Sequence, residues 1–377
     1  MGEISVDLQT RIIPKTHNVF VARPGKDSRL FGTFHEQQAI GPDFPGLGLK
    51  RGVPLNDQVE IERRVRRSIR LRNWHLSGRV KEDEPDRELR DYRGAEPKGM
   101  GQYRAILSGY FDRAAKGDLA IVTPKSWALR ALVVEFRDNP VDIVEIPVEF
   151  YPHDPLSGRR VRILAQIEKR RLPGKVLDIV EKPNAFVLLE RSVRPIIYRL
   201  AYGSYVLDGS IATEFDVSSE DYKFDDDLLM SAFFKFVAIN TVNVSIQNKN
   251  QVFSVEDAVF RELGKFSPDF RSNVNSPGFL QYTSDTIIPL VASALFALAV
   301  TVGPAASQAA KDKMITIGNS RAPAGDVCTA QVSESVLTQL KLLELDQWAK
   351  ACEIARKIHE SAGLTGTATV KPDQKKK

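Results

Sequence analysis

The amino-acid sequence predicts an α+β protein in two parts, a β-barrel carrying helices followed by a mostly α-helical domain. Three observations carry this expectation. Short apolar runs separated by turn residues recur from residues 17–23 to 185–189, a spacing that suits a compact barrel better than a doubly wound sheet. After about Arg194 the pattern changes to longer stretches of helical periodicity. The charge changes at the same place: residues 1–200 hold 36 Lys and Arg against 27 Asp and Glu, and the remainder hold 17 against 21. The expected divisions are therefore 1–195, 196–364 and a disordered basic tail, 365–377.

A chain of 377 residues suits two domains of ordinary size. With 42% hydrophobic and 27% charged residues, wholesale disorder is excluded. Two cysteines, Cys328 and Cys352, make no disulfide framework, and the five histidines lack metal-ligand spacing. No phosphate loop is present, because Gly46-Leu47-Gly48 lacks the lysine and the following helix. A metal-free, cofactor-free chain is expected. The first ten residues lack the apolar core of a secretory signal, so the expected location is cytoplasmic.

In order, residues 17–23 read as a strand closed by the turn Pro24-Gly25, and the glycine-rich stretch 41–52 as a loop. Residues 57–73 form the clearest helix: Asp57 is the candidate N-cap, and Ile61, Val65 and Ile69 recur every fourth residue. Residues 81–99 are highly charged with two prolines and read as a surface excursion. A helix over 102–114 then leads through Gly117-Asp118 into strands at 119–123, 131–136, 144–150, 160–167 and 185–189. Beyond Arg194, a hairpin about Asp208-Gly209 is expected, then helices over 228–238, 255–263 and 332–362.

One set of residues resembles a known family. It comprises Ala22-Arg23-Pro24-Gly25, Ala39-Ile40-Gly41, the helix running into Lys116-Gly117-Asp118-Leu119, the strand 131–136 and the segment 161–179. Together these resemble the EVE-like branch of the PUA-like superfamily, found as an N-terminal module in Mrr-type modification-dependent restriction and antiphage defence proteins. The resemblance covers roughly residues 17–195. It departs from the family where Pro42-Asp43-Phe44 stands in place of a tryptophan. It implies a reader of DNA or RNA that holds a modified or flipped base against an aromatic wall. Phe44, Trp74 and Trp127 occupy the matching positions.

The helix 57–73 also carries Arg63, Arg66, Arg67 and Arg70 on one face. Guanidinium forks bind phosphate bidentately, which makes this face a candidate backbone contact. Glu60, Glu62 and the acidic residues of 81–99 are the competing partners. Catalytic groups are scarce. Gln166-Ile167-Glu168-Lys169, with Asp142 or Asp154 upstream, is nearly in restriction-nuclease form but falls inside the reader-like part. Asp225, Asp226 and Asp227 read as a helix N-terminus rather than a metal cage.

Residues 286–310 carry no charge, with an apolar centre between Ile287 and Val302. That length approaches a membrane span, although Ala, Ser and Thr dilute it and Pro289 lies near its start. A buried helix is the expected reading. The leading functional expectation is a non-enzymatic nucleic-acid sensor whose back half binds a protein partner or itself. Its alternatives are a membrane-acting effector and a diverged nuclease.

Overall fold

The computed structural model describes residues 2–50, 55–78, 83–93, 99–182, 185–273, 278–323 and 325–372. The protein is α+β, 43% helical and 22% strand, with a curled half-barrel sheet. It divides into two compact units, Thr16–Ala201 and Met1–Lys15 with Tyr202–Lys377.

In the unit Thr16–Ala201 the sheet runs in the order Ala39–Ile40, Leu156–Glu168, Arg130–Phe136, Leu119–Val122, Val19–Ala22, Phe186–Leu188, with Val144–Ile146 also against Leu156–Glu168. Val19–Ala22 and Leu119–Val122 pair in parallel, and the other pairings are antiparallel. Both parallel strands are buried at every position, as continuous runs of Val, Phe, Ile, Leu and Ala would require. A register shift between Val133 and Val134 kinks the longest pairing, which bends the sheet and sharpens its twist.

The helix Gln58–Leu76 starts where its cap places it: the Asp57 carboxylate accepts from Glu60 N at 3.0 Å. Ile61, Val65 and Leu71 bury its apolar face. Residues 31–40, too mixed to read from sequence, are the helix Phe31–Gln37 and the short strand Ala39–Ile40, joined by left-handed Gln38.

The second unit contains more strand than expected. A six-stranded sheet runs Asp269–Asn273, Gly278–Ser284, Ser210–Val217, Tyr205–Leu207, Arg11–Ile13, with Leu364–Gly366 added against Ser210–Val217. A three-stranded sheet places Ile4–Asp7 between Ile315–Gly318 and Thr369–Pro372. The first fifteen residues thus belong with this unit and not with 16–195, because their hydrogen-bond partners are there. Thr369–Pro372 is a paired strand, so the disorder expected from residue 365 does not begin there; residues 373–377 lie outside the described residues. The turn at Asp208 and Gly209 has φ of 50° and 86°, the left-handed pair that a two-residue hairpin needs.

The uncharged segment forms Ile288–Thr301 and Ala305–Lys311, bent by 116° at Gly303-Pro304. Every residue from Ile288 to Phe296 is buried, and the helix packs in the unit's core with Phe215, Phe233 and Trp348. By length and mean hydropathy (1.5), Phe224–Ile246 could cross a membrane, but 56% of that window is buried within the protein. Helix Phe224–Thr241 begins one residue before the three aspartates, and Asp226 accepts from Lys223 N at 2.8 Å.

The single helix expected over 332–362 is two, Val327–Leu342 and Leu345–Ala362. Leu343 is extended, and Glu344 caps the second helix in a reciprocal box with Gln347. Val336, Leu340 and Leu343 are at most 1% exposed, so this face packs the unit's own core and is not available for self-association.

Candidate nucleic-acid interface

Four of the seven expected contact residues are held by the protein itself. Phe44 is 3% exposed and packs in the core edge-on to Tyr103. Trp74 is 8% exposed, against His75. Neither can offer a ring face to a base: Phe44 is buried in one cluster with Ile61 and Val65 of the helix Gln58–Leu76, and Trp74 is among that helix's own buried residues. Arg67 turns into the fold: its Nη2 donates to Gly46 O at 2.5 Å and Nη1 to Arg87 O at 2.7 Å. Arg64 beside it donates to Gly48 O at 2.6 Å. Gly48 sits at φ 64°, and a Cβ there would lie 3.1 Å from both guanidinium groups. The glycine loop and the arginines therefore satisfy each other, and burial lowers the Arg67 pKa, with Arg64 adding to the shift. Arg66 pairs with Glu62 at 3.8 Å.

Arg70 is exposed, with its guanidinium 5.6 Å from the Tyr92 ring centroid. Arg63 is half-buried. The four arginines are thus spread over different surroundings and do not form one open face. The charged excursion lies across part of that helix. Arg87 grips Asp154 through two hydrogen bonds of 3.1 Å, and His75 Nε2 lies 3.0 Å from the same carboxylate. That hydrogen bonding, with Glu84, raises the Arg87 pKa. Residues 81, 82 and 94–98 of the excursion lie outside the described residues.

Trp127 is different. It is 55% exposed, and the Lys169 ammonium lies 4.4 Å from its ring centroid. Lys169, itself 7% exposed, lines a cleft of about 710 Å³. Arg23, Lys26, Arg29, Arg72 and Lys125 line the same cleft, against Asp27, Asp43 and Glu181. Among the described lining residues, six cations against three carboxylates leave the cleft positive, and its concave walls focus that field. The volume suits a small ligand.

Asp43 organises the floor. Its carboxylate accepts from Tyr151 OH at 2.6 Å and Arg29 Nη2 at 3.2 Å, while Arg72 donates to its carbonyl at 3.4 Å. Burial, reinforced by the Asp43 charge, pushes the Tyr151 pKa up and keeps its hydroxyl a donor. Gly25, at φ 73° and ψ −179°, brings the backbone against this carboxylate: a Cβ would lie 2.9 Å from Asp43 Oδ2. Asp27 and Ser28 follow at φ 57° and 56°. Three left-handed residues in four form a strained rim, and such strain persists where the surroundings enforce it. On that rim Asp27 pairs with Lys125 at 2.8 Å, whose hydrogen bond and charge lower the Asp27 pKa. Arg29 also stands 5.4 Å from the ring centroid of Phe150, which is 47% exposed.

Two exposed aromatic rings therefore each adjoin a cation of the cleft. Sequence reasoning found Trp127 but missed Phe150, Arg29, Asp43 and Lys125, which are scattered along the chain. The Pro24-Gly25 turn was the available signal. The nuclease-like run is otherwise engaged: Gln166 Nε2 lies 3.3 Å from His35 Nε2, Lys169 serves the cleft, and Asp154 is bonded to Arg87. Among the described residues no group of three or more His, Cys, Asp or Glu could hold a metal ion.

The fold and cleft define an α+β protein with a positive, aromatic-flanked pocket built on a curled sheet. No protein-family model matches the chain, and neither does any curated protein or solved structure.

Proposed function

We propose that the unit Thr16–Ala201 is a PUA-like (EVE-like) reader that binds DNA or RNA through this cleft and performs no chemistry on it. The observation that carries the reading is the placement of exposed Trp127 against Lys169, a residue that also lines the cleft. Cations at the rim neutralise phosphates, and a ring beside them offers a stacking platform for a base. The Asp43–Arg29 pair supplies an acceptor and a donor, the two polarities that a base edge presents. In an antiphage setting, a partner or oligomer contact formed by the second unit would relay the binding event.

The test is fluorescence anisotropy with labelled single- and double-stranded oligonucleotides, unmodified and base-modified, over a series of salt concentrations. The reading expects saturable binding that weakens steeply with salt and is weakened further in Trp127→Ala. Binding to no oligonucleotide at low salt overturns it.

A further inference from the structure

A second cleft, of about 540 Å³, lies in the other unit between helix Phe224–Thr241 and the antiparallel strands Asp269–Asn273 and Gly278–Ser284. Three of its lining rings form a cluster. Phe234 and Tyr282 are 2% and 4% exposed, with centroids 5.3 Å apart. Phe270 stands 5.9 and 6.0 Å from them and is 38% exposed. The two buried rings fix the third, which keeps part of its surface free. Edge and tilted contacts of this kind are favourable ring geometries, so Phe270 is held in place without a ligand.

Two cations border the rings. The Lys235 ammonium donates to Val259 O at 2.6 Å, which uses one of its three N–H donors. The Arg261 guanidinium carbon lies 3.1 Å from the Phe253 ring centroid. A guanidinium stacked on a ring keeps its N–H donors in its own plane, where they can meet phosphate oxygens. Glu262 is the one carboxylate among the described lining residues, and Ser231 and Ser267 add hydroxyls. The cleft therefore joins a positioned aromatic surface to a positive border, in a volume suited to a small ligand.

We infer that this cleft binds a nucleoside phosphate, with the base against Phe270 and the phosphate at Arg261 and Lys235. A flat heteroaromatic ring uses the exposed surface of Phe270, and an anionic group uses the two lining cations. A purely apolar ligand would leave those cations unanswered, and a bare anion would leave the ring bare. Two sources share this chemistry, a free mononucleotide and one nucleotide of a nucleic-acid chain.

The test is isothermal titration of the full chain with ADP, GDP, CDP and UDP, and separately with adenosine and pyrophosphate. At least one nucleoside diphosphate should bind, and adenosine and pyrophosphate should each bind at least about tenfold more weakly, because each lacks half of the recognition. Phe270→Ala and Arg261→Gln should each weaken the nucleotide by about tenfold, the usual scale for one stacking or charge-assisted contact. Arg261 is exposed, so its variant should melt with the parent and stands as the control if Phe270→Ala unfolds. Nucleotide binding that depends on Arg261 should persist in Trp127→Ala, which separates this site from the first cleft. In that background, competition by a single-stranded oligonucleotide identifies a chain as the source, and its absence identifies the free nucleotide. No saturation by any of the four diphosphates, equal binding of pyrophosphate, or affinity unchanged by Arg261→Gln overturns the inference.

Discussion

The Lys169 ammonium lies 4.4 Å from the centre of the Trp127 ring, joining a nearly buried charge to a largely exposed indole. Removing the indole should therefore act on binding and not on folding. Trp127→Ala should weaken nucleic-acid binding by about 1–3 kcal/mol, the range for one stacked base. Its melting temperature should stay within about 1–2 °C of the parent, as surface substitutions usually change stability little. Anisotropy titrations and thermal melts on the same preparation check both halves.

Gly25→Ala should damage the same site from the opposite side. The new methyl meets the Asp43 carboxylate at 2.9 Å, and the backbone there is at φ 73°. Strain of this kind costs about 1–3 kcal/mol, and relieving it displaces either Asp43 or the loop. Loss of oligonucleotide binding together with a lower melting temperature is the expected outcome.

Salt dependence should separate the cleft cations from the helix arginines. Lys26→Gln with Lys125→Gln should flatten the slope of log affinity against log salt by about one unit for each phosphate no longer neutralised. Arg67→Ala should leave that slope unchanged. It should instead lower stability by about 1–3 kcal/mol, because its carbonyl partners at Gly46 and Arg87 lose their donor. Chemical denaturation of Arg67→Ala alongside salt titrations of all three proteins decides the point.

The sequence was legible wherever a local rule decided the structure. Asp57 capped its helix, Asp208-Gly209 turned its hairpin and the three aspartates began theirs, because each acts within a few residues. The central strand Ile4–Asp7 was not legible, since its partners are Ile315–Gly318 and Thr369–Pro372. The arginine helix misled for a related reason. Spacing places Arg63, Arg66, Arg67 and Arg70 on one side, but the carbonyls that claim Arg67 come from a loop and an excursion far from it in sequence. Phe44 and Trp74 have the chemistry of a stacking platform, but packing buries both. Trp127 stood out for the same chemistry and is exposed.

The two thiols should be inert at neutral pH. Burial pushes Cys328 up to about 11, with Asp326 adding to the shift, and pushes Cys352 up to about 12 against the opposing charge of Arg356. Below the ordinary thiol value of 9.0 both are protonated in folded and unfolded chains alike, so their contribution to stability is fully present. From pH 9 to about 12 the unfolded chain ionises first, and stability falls as pH rises. Disulfide-exchange labelling at pH 8 should be slow for the native protein and rapid in denaturant. Rapid native labelling of Cys352 would contradict its burial.

Fragment behaviour follows from the pairing of the first strand. Residues 16–201 should give a cooperative melt alone, since they hold their own sheet and core. Residues 196–377 should not, because Ile4–Asp7 would be missing from between its two neighbours. Adding a peptide of residues 2–15 should restore cooperative unfolding to the 196–377 fragment.

That same strand sets an order of events on the ribosome. Ile4–Asp7 is made about 360 residues before one of its partners, Thr369–Pro372. The intervening segment Thr16–Ala201 is complete while the opening strand still waits. Domains fold as they emerge, so the interrupted unit is the last to close. Its opening strand stays unpaired until both neighbours are made, and a product truncated or stalled before then would carry a finished Thr16–Ala201 unit and an unpaired β edge.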